Sequence, residues 1–171
     1  PLDSLQDGRG DVAAGFLEPS DEIRARGISF SRPYHFAPRY LVVHKEDELD
    51  CRVGLKGRTV TVRRSSPYWQ DLLNLQQAGG RFEIAAAPED METEELIELV
   101  ANGTLPMTVA NSVLLGVELT YRDDVRGTWI IARDQPLVYG MRKDAGPLME
   151  KMNSSVLGRG KGSRINCSFR F

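Results

Sequence analysis

The chain has 171 residues, of which 41% are hydrophobic, 27% charged and 8% aromatic, a balance that suits a globular unit with a real core. Lys+Arg 22 against Asp+Glu 24 leaves a formal charge of -2, so no polybasic footprint points to nucleic acid or to an anionic membrane. No apolar run is long enough to cross a bilayer. Pro1-Leu2-Asp3-Ser4 also lacks the regions of a secretory leader, so an exported form is expected to have lost its leader or to be written without it. In chain order, Gly10-Asp11-Val12-Ala13-Ala14-Gly15 reads as a short buried strand between glycines, and Ser20 to Arg24 as a helical turn capped by serine. Tyr40 to His44 is a strand, followed by the polar break Lys45 to Asp50.

The middle of the chain alternates strand and helix. Thr59 to Arg63 is β-branched with period two, and Ser66-Pro67 then opens a helix, serine capping the free amides and proline taking the first helical position. Leu72, Leu73 and Leu75 give that helix its buried side, and Gly79-Gly80 ends it. Arg81 to Ala85 is a strand. Thr93 to Ala101 is a helix with Leu96, Ile97, Leu99 and Val100 on its apolar face, stopped by Asn102-Gly103. Met107 to Ala110 is a strand and Asn111 to Tyr121 a helix. Trp129 to Ala132 and Leu137 to Met141 are expected as two strands separated at Asp134-Gln135-Pro136, and Gly146 to Val156 is the last helix before a Gly/Arg/Ser-rich tail. This alternation predicts an α/β fold with mainly parallel sheets.

The chemistry-bearing residues are few. Cys51 and Cys167 form no C-x-x-C pair; they can be two buried thiols or, in an oxidising compartment, one long-loop disulfide. His35 and His44 are too few for a metal site without carboxylates, and they read as surface or hinge histidines. No metal or cofactor is expected. The acidic run Glu89 to Glu95 reads as a solvated helix start, where negative charge complements the dipole. There is no Gly-x-Ser-x-Gly elbow, P-loop or H-E-x-x-H, and Gly8-Arg9-Gly10 followed by Gly15 fails the dinucleotide fingerprint, so catalysis is not expected of this chain. The corner Arg63-Arg64-Ser65-Ser66-Pro67-Tyr68-Trp69 stands out: a strand ends in two arginines, two serines offer hydroxyls, and a helix begins. In open α/β sheets ligands lie beyond the carboxyl ends of strands, and a carboxylate there meets helix-start amides. The same residues also describe a capped helix with solvated arginines.

The order Gly10-Asp11-Val12-Ala13-Ala14-Gly15 … Arg24 … Phe30-Ser31-x-Pro33-Tyr34 … Tyr40-Leu41-Val42-Val43 resembles the amino-acid-binding family of type II periplasmic solute-binding proteins. Leu55-Lys56-Gly57-Arg58-Thr59-Val60 … Arg64-Ser65-Ser66-x-Tyr68 is similar to the opening of that family's second lobe. Glu92-Thr93-Glu94-Glu95-Leu96-Ile97 … Val100-Ala101-x-Gly103 … Thr108-Val109-Ala110-Asn111-Ser112 looks most like the binding domain of lytic murein transglycosylase F-like proteins. The resemblance covers most of residues 8 to 157.

What it implies is two α/β lobes closing over a small ligand. Residues 1–44 and 136–171 would form a first lobe incomplete at its N-terminus, and 45–135 the second. Arg24 would be the first-lobe carboxylate clamp and Tyr34 the first-lobe aromatic. Ser65 and Ser66, with Arg64 and Tyr68 beside them, would hold the carboxylate from the second lobe. Asn111 stands where the family usually has an aspartate for a ligand ammonium, and an amide brings no charge. The incomplete lobe is expected to reflect a shortened chain, a rearranged sheet, or a sheet completed by a partner. The implied function is a periplasmic, non-enzymatic domain for an amino acid, short peptide or murein peptide, working with a membrane transporter or a fused catalytic domain. The alternatives are a regulatory region of a lytic transglycosylase and an interaction module without ligand.

Overall fold

The computed structural model describes residues 2–15, 17–49 and 52–159. Cys51 and Cys167 lie outside these, and with them the disulfide expectation. The chain divides into two units, Pro1–Phe36 with Pro136–Phe171, and Ala37–Gln135.

The first unit contains α1 (Leu2–Gln6), β1 (Val12–Ala13), α2 (Asp21–Ala25) and β2 (Ile28–Phe30). Ser20 begins α2 as its sequence predicts, its Oγ accepting from the Ile23 N–H at 3.2 Å. The strand between Gly10 and Gly15 shortens to two residues, with Ala13 buried and Val12 facing outward. Ala13 packs with Leu5 and Ile28, and Leu2, Ile23 and Phe30 close around them.

The second unit is built on β3 (His35–His44), β4 (Thr59–Arg63), α3 (Pro67–Gln77), β5 (Glu83–Ala87), α4 (Thr93–Ala101), β6 (Met107–Asn111), α5 (Ser112–Glu118) and β7 (Val125–Leu137). The chain ends with β8 (Gly140–Arg142) and α6 (Gly146–Arg159) in the first unit, where β8 lies between β1 and β2. Successive residues of β3 point to opposite faces and so feed two separate cores. Leu41 and Val43 join Val60, Val62, Leu72, Met107 and Val109 on one side. Val42 joins Ile97, Val100, Ala110, Leu114, Leu115 and Val125 on the other. Because both faces are covered, β6 is buried at all five positions and has no polar-out alternation. Its buried Thr108 hydroxyl donates to the Thr61 carbonyl at 2.8 Å, which satisfies both groups in the interior.

Both crossover helices stop where a glycine takes a left-handed backbone. Gly79 follows α3 at φ +91 and Gly103 follows α4 at φ +77, conformations that a side chain resists. The amides beyond them turn back to satisfy carbonyls of the last turn, Gly80 to Leu75 at 3.0 Å and Leu105 to Leu99 at 2.9 Å.

Three expectations are corrected. The β4–α3–β5 unit is parallel, from Thr59 opposite Glu83 to Arg63 opposite Ala87, but β1–β8, β2–β8 and β3–β6 are antiparallel. The helical crossover rule fixes direction only for strands that a crossover joins, and these three pairs bring together distant parts of the chain. The expected break at Asp134-Gln135-Pro136 is absent, and β7 runs through it from Val125 to Leu137. Proline is tolerated there because β7 lies at the end of the order β6-β3-β7, and Asp134 absorbs a local bend at φ 53. Finally, α5 ends at Glu118, and the residues to Tyr121 form a turn.

Candidate functional site

The site begins where β4 runs out. Arg63 and Ala87 are the last paired residues of β4 and β5, so the segments that follow, 64–66 and 88–90, leave the sheet side by side. The first turns into α3, and the second turns towards α4.

Ser66 takes the N-cap position of α3 but does not cap it with its side chain, contrary to the expectation. Its buried hydroxyl instead donates back to the Arg63 carbonyl at 2.8 Å, which tightens the turn. Ser65 is exposed, and its hydroxyl donates to Glu89 Oε2. The Arg64 amide donates to Glu89 Oε1 at 3.0 Å and the Ser65 amide to the same oxygen at 3.4 Å. One carboxylate thus receives two backbone N–H groups and a hydroxyl at the strand end. The Ser65 hydroxyl above all, with the Ser65 and Arg64 amides, holds the Glu89 carboxyl below the usual glutamate range. Arg63 binds Glu92 Oε2 at 2.9 Å, a second tie between β4 and the turn after β5.

Behind the corner lies a buried polar chain. Tyr68, in the first turn of α3, is buried, and the Arg39 guanidinium sits 5.4 Å from the centre of its ring. Arg39 is only 3% exposed and forms an ion pair with Asp71 one turn further along α3. Burial pushes the Tyr68 hydroxyl up, and hydrogen bonds from Asn111 partly offset this. Asn111 is itself buried and caps α5, its Oδ1 accepting from Val113 at 3.1 Å and Leu114 at 2.8 Å. Arg64 lies over the Trp69 ring at 5.1 Å, holding a positive charge at the rim.

No protein-family model matches the chain. Over 151 residues, 88% of its length, it is 35% identical to the membrane-bound lytic murein transglycosylase F of Desulfosudis oleivorans. It is 26% identical over 135 residues to the protein of the same name from Photobacterium profundum. The chain spans 33% of the first relative's length and 26% of the second's. Among solved structures, an ancestral arginine-binding protein bound to arginine matches 94% of the chain, and 70% of its own, at 22% identity with a TM-score of 0.70. The probable amino-acid ABC transporter extracellular-binding protein of Bacillus subtilis matches 93% of the chain, and 70% of its own, at 18% identity with a TM-score of 0.73. The fold is that of the type II periplasmic binding proteins.

Within this type II binding fold, Arg64, Ser65 and Ser66 form the corner, and Tyr68 connects the same helix to Asn111. The candidates in the first unit have other partners. Arg24 is exposed on α2, 5.0 Å over the Phe30 ring and 3.8 Å from Asp21. Tyr34 stacks on Tyr139 with centroids 4.6 Å apart, beside a cavity of about 250 Å³ lined also by Met152, Ser155 and Val156. Among the described residues no group of His, Cys, Asp and Glu is arranged to hold a metal ion.

Sequence reasoning missed Glu89, which belongs to the strand-end corner and not to the solvated start of α4. The clue was available in the parallel strands: a carboxylate two residues past β5 stands beside donors one and two residues past β4. It also missed Arg39, which lies just before the strand expected from Tyr40 and is paired with Asp71 and set against the Tyr68 ring.

Proposed function

We propose that this chain is an extracytoplasmic binding module for a small carboxylate-bearing molecule, an amino acid, short peptide or murein-derived peptide, acting as sensor or transport receptor and not as catalyst. The observation that carries the reading is that the β4–α3 corner already receives a carboxylate: Arg64 and Ser65 amides and the Ser65 hydroxyl converge on Glu89. Such charge-assisted bonds, close to a helix start, are the chemistry a ligand carboxylate needs. Ser66 keeps the turn in shape, Arg64 adds positive charge, and Tyr68 fixes the first turn of α3 against Asn111. Arg24 and Tyr34 are proposed as candidate ligand contacts of the first unit taken by itself. Asn111 offers no charge for an ammonium, and its Oδ1 is engaged in capping α5, so the carboxylate dominates recognition. The arginine-bound neighbour supports an amino-acid-sized ligand.

A second reading is favoured by the Desulfosudis oleivorans relative, of which the chain spans 33%. In it this module is the non-catalytic regulatory region of a membrane-bound lytic transglycosylase, and its ligand is a fragment of the wall. An amide NMR titration with free amino acids and murein tetrapeptide tests both. Saturable shifts at Arg64, Ser65 and Tyr68 with an amino acid favour the receptor. The same shifts with the tetrapeptide alone favour the regulatory region. A well-dispersed spectrum that responds to neither identifies an interaction module without ligand.

A further inference from the structure

We propose that Glu89 is a built-in occupant of the carboxylate corner, a tethered competitor that a ligand must displace. This rests on the corner being a carboxylate site, the reading given above. The parallel register delivers Glu89 to that place: Arg63 and Ala87 end the ladder together, and Glu89 follows by two residues. The turn carrying it is closed by the Met91 amide on the Pro88 carbonyl at 3.2 Å and tied to β4 by Glu92 on Arg63 at 2.9 Å. The carboxylate is thereby tethered beside the donors, and its effective concentration exceeds that of a dilute free anion.

The Arg64 and Ser65 amides each carry one proton, and both point at Glu89 Oε1, while the Ser65 hydroxyl is given to Oε2. They cannot serve a second carboxylate in full at the same time. Glu89 itself is exposed, so withdrawing it to solvent rehydrates the carboxylate and uncovers the corner without disturbing a core. The corner therefore rests occupied and binds only ligands whose other contacts outweigh the exchange. Small anions with nothing but a carboxylate to offer are screened out.

The experiment is an amide NMR titration of the full chain with sodium acetate, a probe with a carboxylate and little else, followed at Arg64 and Ser65. Glu89→Ala opens the donors. Asp90→Ala removes a neighbouring negative charge and leaves Glu89 in place. The expected result is that Glu89→Ala saturates at about tenfold lower acetate than the parent chain, while Asp90→Ala matches the parent. Equal gains from both variants would mean general charge repulsion and would overturn the tethered competitor. So would equal or weaker acetate binding by Glu89→Ala. If no variant responds to acetate and no amino acid or murein tetrapeptide shifts these amides, the carboxylate site itself is wrong. Unchanged peak dispersion confirms that the variants are folded.

Discussion

Glu89 and Asn111 show how differently two polar side chains of one unit can be used. Glu89 is exposed and held by three donors, which favour its charged form. Its carboxyl therefore titrates below the ordinary value of 4.5, and the bonds it makes persist above that value and are lost as pH falls through the lowered one. Side-chain carbon NMR is expected to find Glu89 titrating below that ordinary value, and Ser65→Ala to move it back up, since the hydroxyl is the largest contribution. Asn111 is buried and spends its oxygen on two amides of α5. Asn111→Ala is expected to cost about 1–2 kcal/mol in urea unfolding, the usual loss of a helix cap. The start of α3 at Ser66-Pro67 was legible in the sequence because a serine and a proline after a strand follow local rules, although the Ser66 hydroxyl turns back to Arg63 instead of capping. Glu89 was not, because its partners lie 24 and 25 residues back and become neighbours only once β4 and β5 are set in register.

At the scale of elements, α3 is pinned by its first two turns. Tyr68 faces Asn111 and Arg39, and Asp71 answers the Arg39 charge from the next turn. Asp71→Ala takes the carboxylate from a guanidinium that is 3% exposed and is expected to cost about 3 kcal/mol in the same unfolding experiment. Tyr68 gives an alkaline signature with the opposite sign to Glu89. The folded state keeps its phenolic proton longer than the unfolded chain, so this contribution is full below the ordinary value of 10.0 and lost as pH rises towards the raised one. Absorbance titration is expected to show a late-ionising component that Tyr68→Phe removes. Thr59–Arg63 and Thr93–Ala101 have the limits their periodicity predicts: Val60 and Val62 enter one core from the strand, and Leu96, Ile97 and Val100 form the buried side of the helix. β7 did not follow local rules: Pro136 looked like a break, but a sheet edge tolerates the missing N–H.

For the molecule as a whole, the two units differ in how much apolar side chain they bury. The second has two clusters of fully covered aliphatic residues on opposite faces of β3 and β6. The cluster of the first, around Leu5, Ala13 and Ile28, sits on strands of two and three residues. Stability is expected to be graded accordingly. Native-state hydrogen exchange should find the slowest amides in β3, β4 and β6, with those of β1, β2 and β8 released earlier; a slowest set in the first unit would contradict this grading.

The aligned ends of β4 and β5 carry one more implication. Only Pro88 separates the last paired residue of β5 from Glu89. A residue inserted there advances the chain by roughly 3.3 Å, enough to lift the carboxylate off the Arg64 amide. A deletion would bring up Asp90 instead, on a side chain one methylene shorter. Loop length after β5 is thus a setting in its own right: two chains with the same Arg64-Ser65-Ser66 segment would rest in different states, one occupied and one open, through a single insertion or deletion in a neighbouring loop that never touches the ligand.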